Sequence, residues 1–494
     1  MLEVFFYKTP FFKKLFCRHF DVVWDAKIVN FALKFSLFLP QNLTMAQVIK
    51  IKQGLDIKLK GKAECAVSCI HAESFALQPT DFIGLTPRLL VQEGTQVKVG
   101  SPLFCDKHDE RIRFTAPVSG TVSEIRRGAK RLLQTVVIQS DKQLEALDFE
   151  LGERNKASIT KSLLETGLWP MIRQRPYSTV ARPDDTPKAF FVSAFDTSPL
   201  APDMDFLAEH FPDSLQKGLE VLSILSDNKL HLCVHAEKTT SEVLLKAKNV
   251  ILHTFSGPHP SGNVGTQINK ICPINKGDVV WHCGLPEVIN IGHFFLTGRL
   301  DFIRLYATAG TGLLHSHYYK TPLGSSIAAL TEGNLKDSHQ RLVSGNVLTG
   351  QAVTENDFIG FYHNMLTVIP EGDQRQELLG WIWPGFKKFS VSRTFPSAFI
   401  PNEFRPDFEL DTNLHGEERA YVMTGEFEKV FPLDIYPLQL IKACLIGDLD
   451  LMESLGLYEV EPEDFALCEF IDTSKTDIQA IIRNGLELAR KENE

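Results

Sequence analysis

Across the middle of this chain, short apolar runs rich in β-branched and aromatic residues alternate with helix-forming segments, an alternation that restricts the fold to a sheet covered by helices. Ala189–Ala194, Leu230–Val234 and Val250–His253 read as strands, and Phe206–Phe211, Ser214–Ser226 and Ser241–Lys246 as helices. A strand–helix–strand unit follows in Asp278–Trp281, Glu287–Leu296 and Phe302–Ala307. Strands joined through helices pair in parallel, so a Rossmann-like parallel α/β domain is expected over 148–312. The first joint is the turn-dense run Phe255–Thr266, which carries Gly257, Pro258, His259, Pro260, Gly262 and Gly265. Glycine lets another group approach the main chain, and proline fixes φ while removing a donor. Ligands of open α/β sheets gather beyond the carboxyl ends of the strands, where a loop after Val250–His253 lies. These six residues are therefore the candidate site, with His259 expected to be exposed on a stiff, extended segment between its two prolines. The alternative is a rigid turn that covers the end of the sheet.

Other chemistry is sparse. No GxGxxG follows a strand and no GxxxxGK[ST] occurs, so the glycine-rich phosphate cradle is missing; Gly310-Thr311-Gly312 matches only the first two glycines of the fingerprint. His253, His259, His282, His293, His315 and His317 crowd the region and offer metal ligation or proton relay. They form no HxxxH on a helix, and no acidic partner is matched to them. Ser256 and Ser344 lie in glycine-flanked turns without the context of an activated nucleophile. The nine cysteines include no CxxC pair, which leaves no metal or cluster site to assign and suits a reducing compartment.

Upstream, 45–147 carries short strands with the pattern Glu93-Gly94-x-x-Val97…Gly100-x-Pro102-Leu103…Ala116-Pro117-Val118-Ser119-Gly120-x-Val122. This pattern resembles the small β-sandwich of biotinyl and lipoyl carrier domains. Those carriers need a lysine on a tight hairpin about seven residues before the Ala-Pro; that position is Asp109, with Lys107 two residues away. The fold is expected without the acceptor lysine. Downstream, 313–372 reads as a small β-grasp unit running from Tyr319 through the Ser325–Leu330 helix to Arg341–Gly350. Phe395–Asp411 is an extended connector within 373–494, and helices are expected from Leu433 onward, among them Pro462–Leu467 with acids at its positive end.

At 494 residues the chain is too long for one core. Its net charge of -9 is concentrated beyond Pro401, where 22 acidic residues face 8 basic ones. That balance speaks against nucleic acid as a partner. No apolar run reaches the roughly 18 residues of a spanning helix, so membrane attachment must come through a partner. Residues 1–44 hold nine phenylalanines with Lys13, Lys14 and Arg18 among them, and lack the cleavage pattern of a secretory signal. A membrane-surface helix is one reading of this stretch and an over-long start assignment the other.

The wording of several blocks is specific. GPHPSGNVGTQINKI, VVWHCGLPEVINIGHFFLTG, LVSGNVLTG, YHNMLTVIPEG and FSVSRTFPSAF, in this order from Met45 onward, resemble the A-subunit family of the sodium-translocating NADH:quinone oxidoreductases. The resemblance implies a peripheral component on the cytoplasmic face of the bacterial inner membrane, within a six-subunit pump that passes electrons from NADH to ubiquinone and exports Na+. It implies that FAD, covalently bound FMN, riboflavin and iron–sulfur are held by partner subunits, with no cofactor on this chain. It further implies docking on the membrane-embedded B-subunit, an association with quinone, and a β-grasp unit of the soluble-ligand-binding (SLBB-like) type. It also relates the chain to the flavin-binding subunit of respiratory complex I, whose nucleotide loop and cluster cysteines are missing here. A second reading follows: an assembly module on a nucleotide-binding scaffold that has lost its ligands.

Overall fold

The computed structural model describes residues 48–373, 385–401, 404 and 407–493; the Phe-rich stretch 1–44 lies outside them, as does part of the Phe395–Asp411 connector. A seven-stranded sheet forms the centre. Its order is Ile49–Lys50, Ile251–Ser256, Leu230–His235, Ala189–Ser193, Val280–Gly284, Arg173–Arg175 and Thr179–Val180. The first five strands are parallel, and the last two add antiparallel. Alternate side chains leave opposite faces, so Phe190, Val192, Leu232 and Val234 enter one core while Phe191, Cys233, Phe255 and Val280 enter another.

Helices Pro212–Leu225 and Leu285–Thr297 cover the first face. They cross closely because Gly218 lies against the Val288 carbonyl and Gly292 against that of Ser214; a Cβ on Gly292 would stand 1.7 Å from that oxygen. Helix Val264–Ile271 covers the second face together with Tyr458 from the C-terminal region.

Before this sheet stands a sandwich of two antiparallel sheets, one of four strands and one of three. Phe82, Phe104 and Phe114 fill its middle, the last two stacked 4.7 Å apart. In place of the carrier lysine, Asp109 grips Arg111, which also binds Asp184. After the parallel sheet comes a mixed six-stranded sheet ordered Gln351–Val353, Gln340–Ser344, Met365–Pro370, Ile303–Ala309, Tyr318–Pro322 and Val67–Cys69. The helices Pro437–Ile446, Leu449–Ser454, Ala466–Ile471 and Ile478–Asn493 close the chain around a core of their own.

Three elements depart from the sequence reading, and one of them, Val67–Cys69, leaves the 45–147 β domain to pair with Tyr318–Lys320 at the edge of the six-stranded sheet. Ile303–Ala309 does not complete the strand–helix–strand unit in the parallel sheet; it pairs with Tyr318–Pro322 and Met365–Pro370 in the six-stranded one. Ile49–Lys50, read with the β-sandwich, instead forms the edge of the parallel sheet beside Phe255 and Ser256. All three are short runs, and such a run does not encode which sheet will accept it. His315 and His317 stand in an irregular segment before the Tyr318 strand.

Candidate functional site: a cleft at the carboxyl ends of the parallel strands

The Ala189, Leu230 and Ile251 strands end on the same side of the sheet, and the loops that leave them converge. Taken in chain order, the four central parallel strands lie in the spatial order third, second, first, fourth, which puts the reversal at the Ala189 strand. In open α/β sheets a reversal of this kind leaves a crevice. Here a cleft of about 590 Å³ lies over the ends of the Ala189 and Leu230 strands. Its walls are Phe195–Asp205 and His235 with Lys238 and Thr239, closed by Asp56–Leu59, Lys62 and Asp407.

The six predicted positions lie behind this cleft. None of them lines it. His259 is buried at 3% exposure, contrary to the exposure expected between two prolines. The reason is tertiary: Asp56 accepts its main-chain N–H at 2.9 Å, its carbonyl accepts from Leu55, and Nδ1 shares a hydrogen bond of 3.1 Å with Thr197 Oγ1. Burial holds the imidazole below its ordinary value, against the opposing pull of Asp196, Asp56 and Glu463.

Gly262 donates its N–H to Thr197 Oγ1 at 3.0 Å, and its carbonyl accepts from Ser193 and Gln267. Gly257 has φ +132° and a Cβ there would meet the Ile51 carbonyl at 2.3 Å, so glycine is required where the loop crosses the edge strand. The carbonyl of Pro258 accepts from Ser261, and that of Pro260, joined to His259 by a cis peptide, accepts from Asn263. Gly265 begins the next helix against Asp464. The loop is thus a brace that fixes two wall residues, Asp56 and Thr197.

The cleft carboxylates are already engaged by main-chain donors. Asp196 accepts from Ser198 at 2.7 Å, Asp203 caps the Met204 helix through Phe206, and Asp205 accepts from Ser241 at 3.0 Å. Lys62 and Lys238 have no carboxylate partner among the described residues. His235 accepts the N–H groups of Glu237 and Lys238 at Nδ1, which leaves its proton on Nε2; burial and Lys238 hold the imidazole below its ordinary value. Phe195, Leu200, Met204 and Ile57 supply an apolar wall. Donors beside apolar side chains suit a flat apolar ligand edged with oxygen.

The remaining histidines do not assemble into one centre. His231 and His253 share a hydrogen bond of 2.9 Å on adjacent strands, while His282 is buried in the middle of the Val280–Gly284 strand and held well under its ordinary value by burial and by Arg173 and Arg175. Among the described residues no group of three or more His, Cys, Asp or Glu could hold a metal ion. Ser344 is buried in hydrogen bonds with His363 and the Gly360 N–H.

Sequence reasoning missed the cleft walls themselves. The signal present was Asp196-Thr197-Ser198-Pro199, turn residues placed directly after an apolar strand. The contributions of Asp56 and Lys62 from far upstream carried no local signal.

Behind the loop, Arg175 binds Asp464 at 3.1 Å and also Glu463, and Arg483 binds Glu461 at 3.0 Å. Arg175 and Asp464 are buried, and burial lifts the Asp464 carboxyl to about 6 although Arg175 opposes the shift. This network joins the antiparallel edge of the sheet to the C-terminal helices.

Known proteins match the domains of this chain and most of its length. Residues 49–141 match the family model described as the NqrA N-terminal barrel-sandwich hybrid domain, 154–300 the NqrA second alpha/beta domain, and 307–355 the NQRA C-terminal domain. The chain is 38% identical over 456 residues to the A-subunit of the Na(+)-translocating NADH-quinone reductase of Yersinia pseudotuberculosis serotype O:1b (strain IP 31758), covering 90% of this chain and 100% of that protein. Similarity to the proteins of the same name from Neisseria meningitidis serogroup B (38%) and Serratia proteamaculans (39%) covers the same shares. An NAD+-reducing [NiFe]-hydrogenase in the air-oxidized state aligns over 68% of this chain and 66% of that one at 12% identity, with a TM-score of 0.35, too low to establish a common fold. By full-length identity and by three matched domains, this chain belongs to the A-subunit family of the Na(+)-translocating NADH-quinone reductases.

Proposed function

We propose that this chain is the peripheral, cytoplasmic-face component of a sodium pump that oxidises NADH and reduces ubiquinone to ubiquinol while Na+ is exported. In this reading it holds no redox cofactor itself. FAD, FMN, riboflavin and iron–sulfur belong to partner subunits, and the membrane-embedded B-subunit supplies the anchor. No helix among the described residues is long and apolar enough to cross a membrane, which fits attachment through a partner. In this reading the fold units are a lipoyl-like sandwich, a Rossmann-like domain, a β-grasp SLBB-like domain and a helical C-terminal region, with Ile49–Lys50 added to the parallel sheet and Val67–Cys69 and Ile303–Ala309 to the six-stranded one.

The observation that carries the quinone association is the cleft. Lys62 and Lys238, with no carboxylate partner among the described residues, line the cleft with Phe195, Leu200 and Met204 at the carboxyl ends of the parallel strands. A quinone ring would lie against the apolar wall with an ammonium donating to a ring oxygen, a donor that binds more strongly as negative charge develops there on reduction. The brace Gly257–Gly265 would act through Thr197 and Asp56, by keeping the wall in place. The test is the double change Lys62→Ala and Lys238→Ala in the assembled complex. The expected result is a KM for ubiquinone raised about tenfold or more, with NADH oxidation by an artificial acceptor unchanged. Unchanged quinone kinetics would overturn the cleft reading. Saturable quinone binding by the isolated chain would also exclude the second reading, the assembly module without ligands.

A further inference from the structure

We infer that the β-hairpin tip Arg127–Leu132, in the N-terminal sandwich, is a contact for anionic phospholipid headgroups at a bilayer surface. The strands Gly120–Arg127 and Leu133–Ser140 form the central pair of the four-stranded sheet, and their connection is a tight turn. Gly128 N–H donates to the Leu132 carbonyl at 2.8 Å and Leu132 N–H to that of Ala129 at 3.1 Å, while Arg127 Nη1 donates to the Arg131 carbonyl at 3.2 Å. Lys130 and Arg131 both take left-handed backbone, with φ of 54° and 61°. That conformation is unfavourable for residues with a long side chain and natural for asparagine or glycine. Two cations therefore stand where local backbone energetics alone would select other residues.

The tip carries charge of the opposite sign to the chain, whose net charge is -9. Four cations occur between Arg126 and Arg131, and the sequence holds no acidic residue from Ile125 to Ser140. Arg126 is neutralised by Glu124 and Asp357. Arg127, Lys130 and Arg131 have no carboxylate partner among the described residues. Beside them Leu132 is 54% exposed, an apolar side chain at the same tip.

These residues are exposed on a hairpin tip, so they offer spread cations rather than a rigid set of donors directed at one partner carboxylate. Diffuse cations around an exposed leucine instead match a layer of laterally mobile phosphates over an apolar interior. This inference does not rest on the quinone reading.

The test uses the full chain with vesicles of phosphatidylcholine alone and vesicles mixed with phosphatidylglycerol. The expected result is co-sedimentation with the anionic vesicles that falls as salt rises, and little with the neutral ones. Lys130→Asn with Arg131→Asn keeps the turn, because asparagine accepts left-handed backbone, and should weaken vesicle binding about thirtyfold. Lys130→Arg should retain it. Inorganic phosphate at matched ionic strength should compete no better than chloride. Binding to neutral vesicles as strong as to anionic ones, an asparagine variant that binds like the parent, or selective release by phosphate would each overturn the inference. So would loss of binding to soluble polyglutamate in the asparagine variant while vesicle binding persists, since the occupant would then be an acidic protein segment.

Discussion

At the residue scale, His259 shows how a local signal can mark importance without marking exposure. Its neighbours Pro258 and Pro260 announce a rigid turn, yet the imidazole is buried against Thr197 and the main chain is held by Asp56 and Leu55. His259→Ala should therefore destabilise the chain by about 1–3 kcal/mol, the cost of leaving buried polar groups unpaired, and calorimetry should show a lowered Tm. A midpoint equal to the parent's would contradict the bracing role. A second residue-scale effect concerns His363, which burial, with Arg173 beside it, holds down to about 4. The folded state favours its neutral form while the unfolded chain titrates near 6.5. Its stabilising contribution is therefore full above that value and declines as pH falls from 6.5 toward 4. Asp81, pushed up to about 7 by burial, acts with the opposite sign over this range, so parent and variant must be compared at each pH. The urea midpoint of His363→Gln should fall less on acidification than that of the parent.

At the element scale, the crossing of Pro212–Leu225 with Leu285–Thr297 sets the height of the helix layer over the sheet. Gly292 permits it by letting the Ser214 carbonyl approach. Gly292→Ala forces the helices apart and should cost about 1–3 kcal/mol or more, read as a lower midpoint in urea. Both helices were legible in the sequence, Ser214–Ser226 and Glu287–Leu296 falling within two residues of the observed ends. Their contact was not, because a glycine inside a helical pattern signals only a weak position until its neighbour across the interface is known.

At the scale of the whole molecule, buried polar groups hold the units together. Arg175 on the sheet edge binds Asp464 in the C-terminal region, Arg304 on the six-stranded sheet binds Glu287 on a parallel-sheet helix at 2.8 Å, and Asp81 of the sandwich accepts the Phe361 N–H. Removing one partner of a buried pair strands the other, a loss of about 3–5 kcal/mol. Arg175→Met should therefore release the C-terminal helices preferentially. Hydrogen exchange should show lost protection concentrated in Ala466–Ile471 and Ile478–Asn493 while the Ala189 and Leu230 strands stay protected. Equal protection throughout would mean that the apolar contacts alone secure this junction.

The sequence by itself determined the layered α/β character of the middle, the positions of most strands and helices, and the blocks that mark the family. These are carried by hydrophobic period, turn chemistry and residue order, all of which act over a few neighbours. Tertiary structure alone decided that Ile49–Lys50 joins the parallel sheet and that Val67–Cys69 and Ile303–Ala309 join the six-stranded one, because a run of two to seven residues fits any sheet that offers it a place. It also decided that the glycine-rich loop braces a cleft whose walls come from Asp56–Lys62, Phe195–Asp205 and His235–Thr239. Those three segments are brought together by strand order in the sheet, which no local pattern encodes, and a binding surface of this kind becomes readable only when the chain has closed on itself.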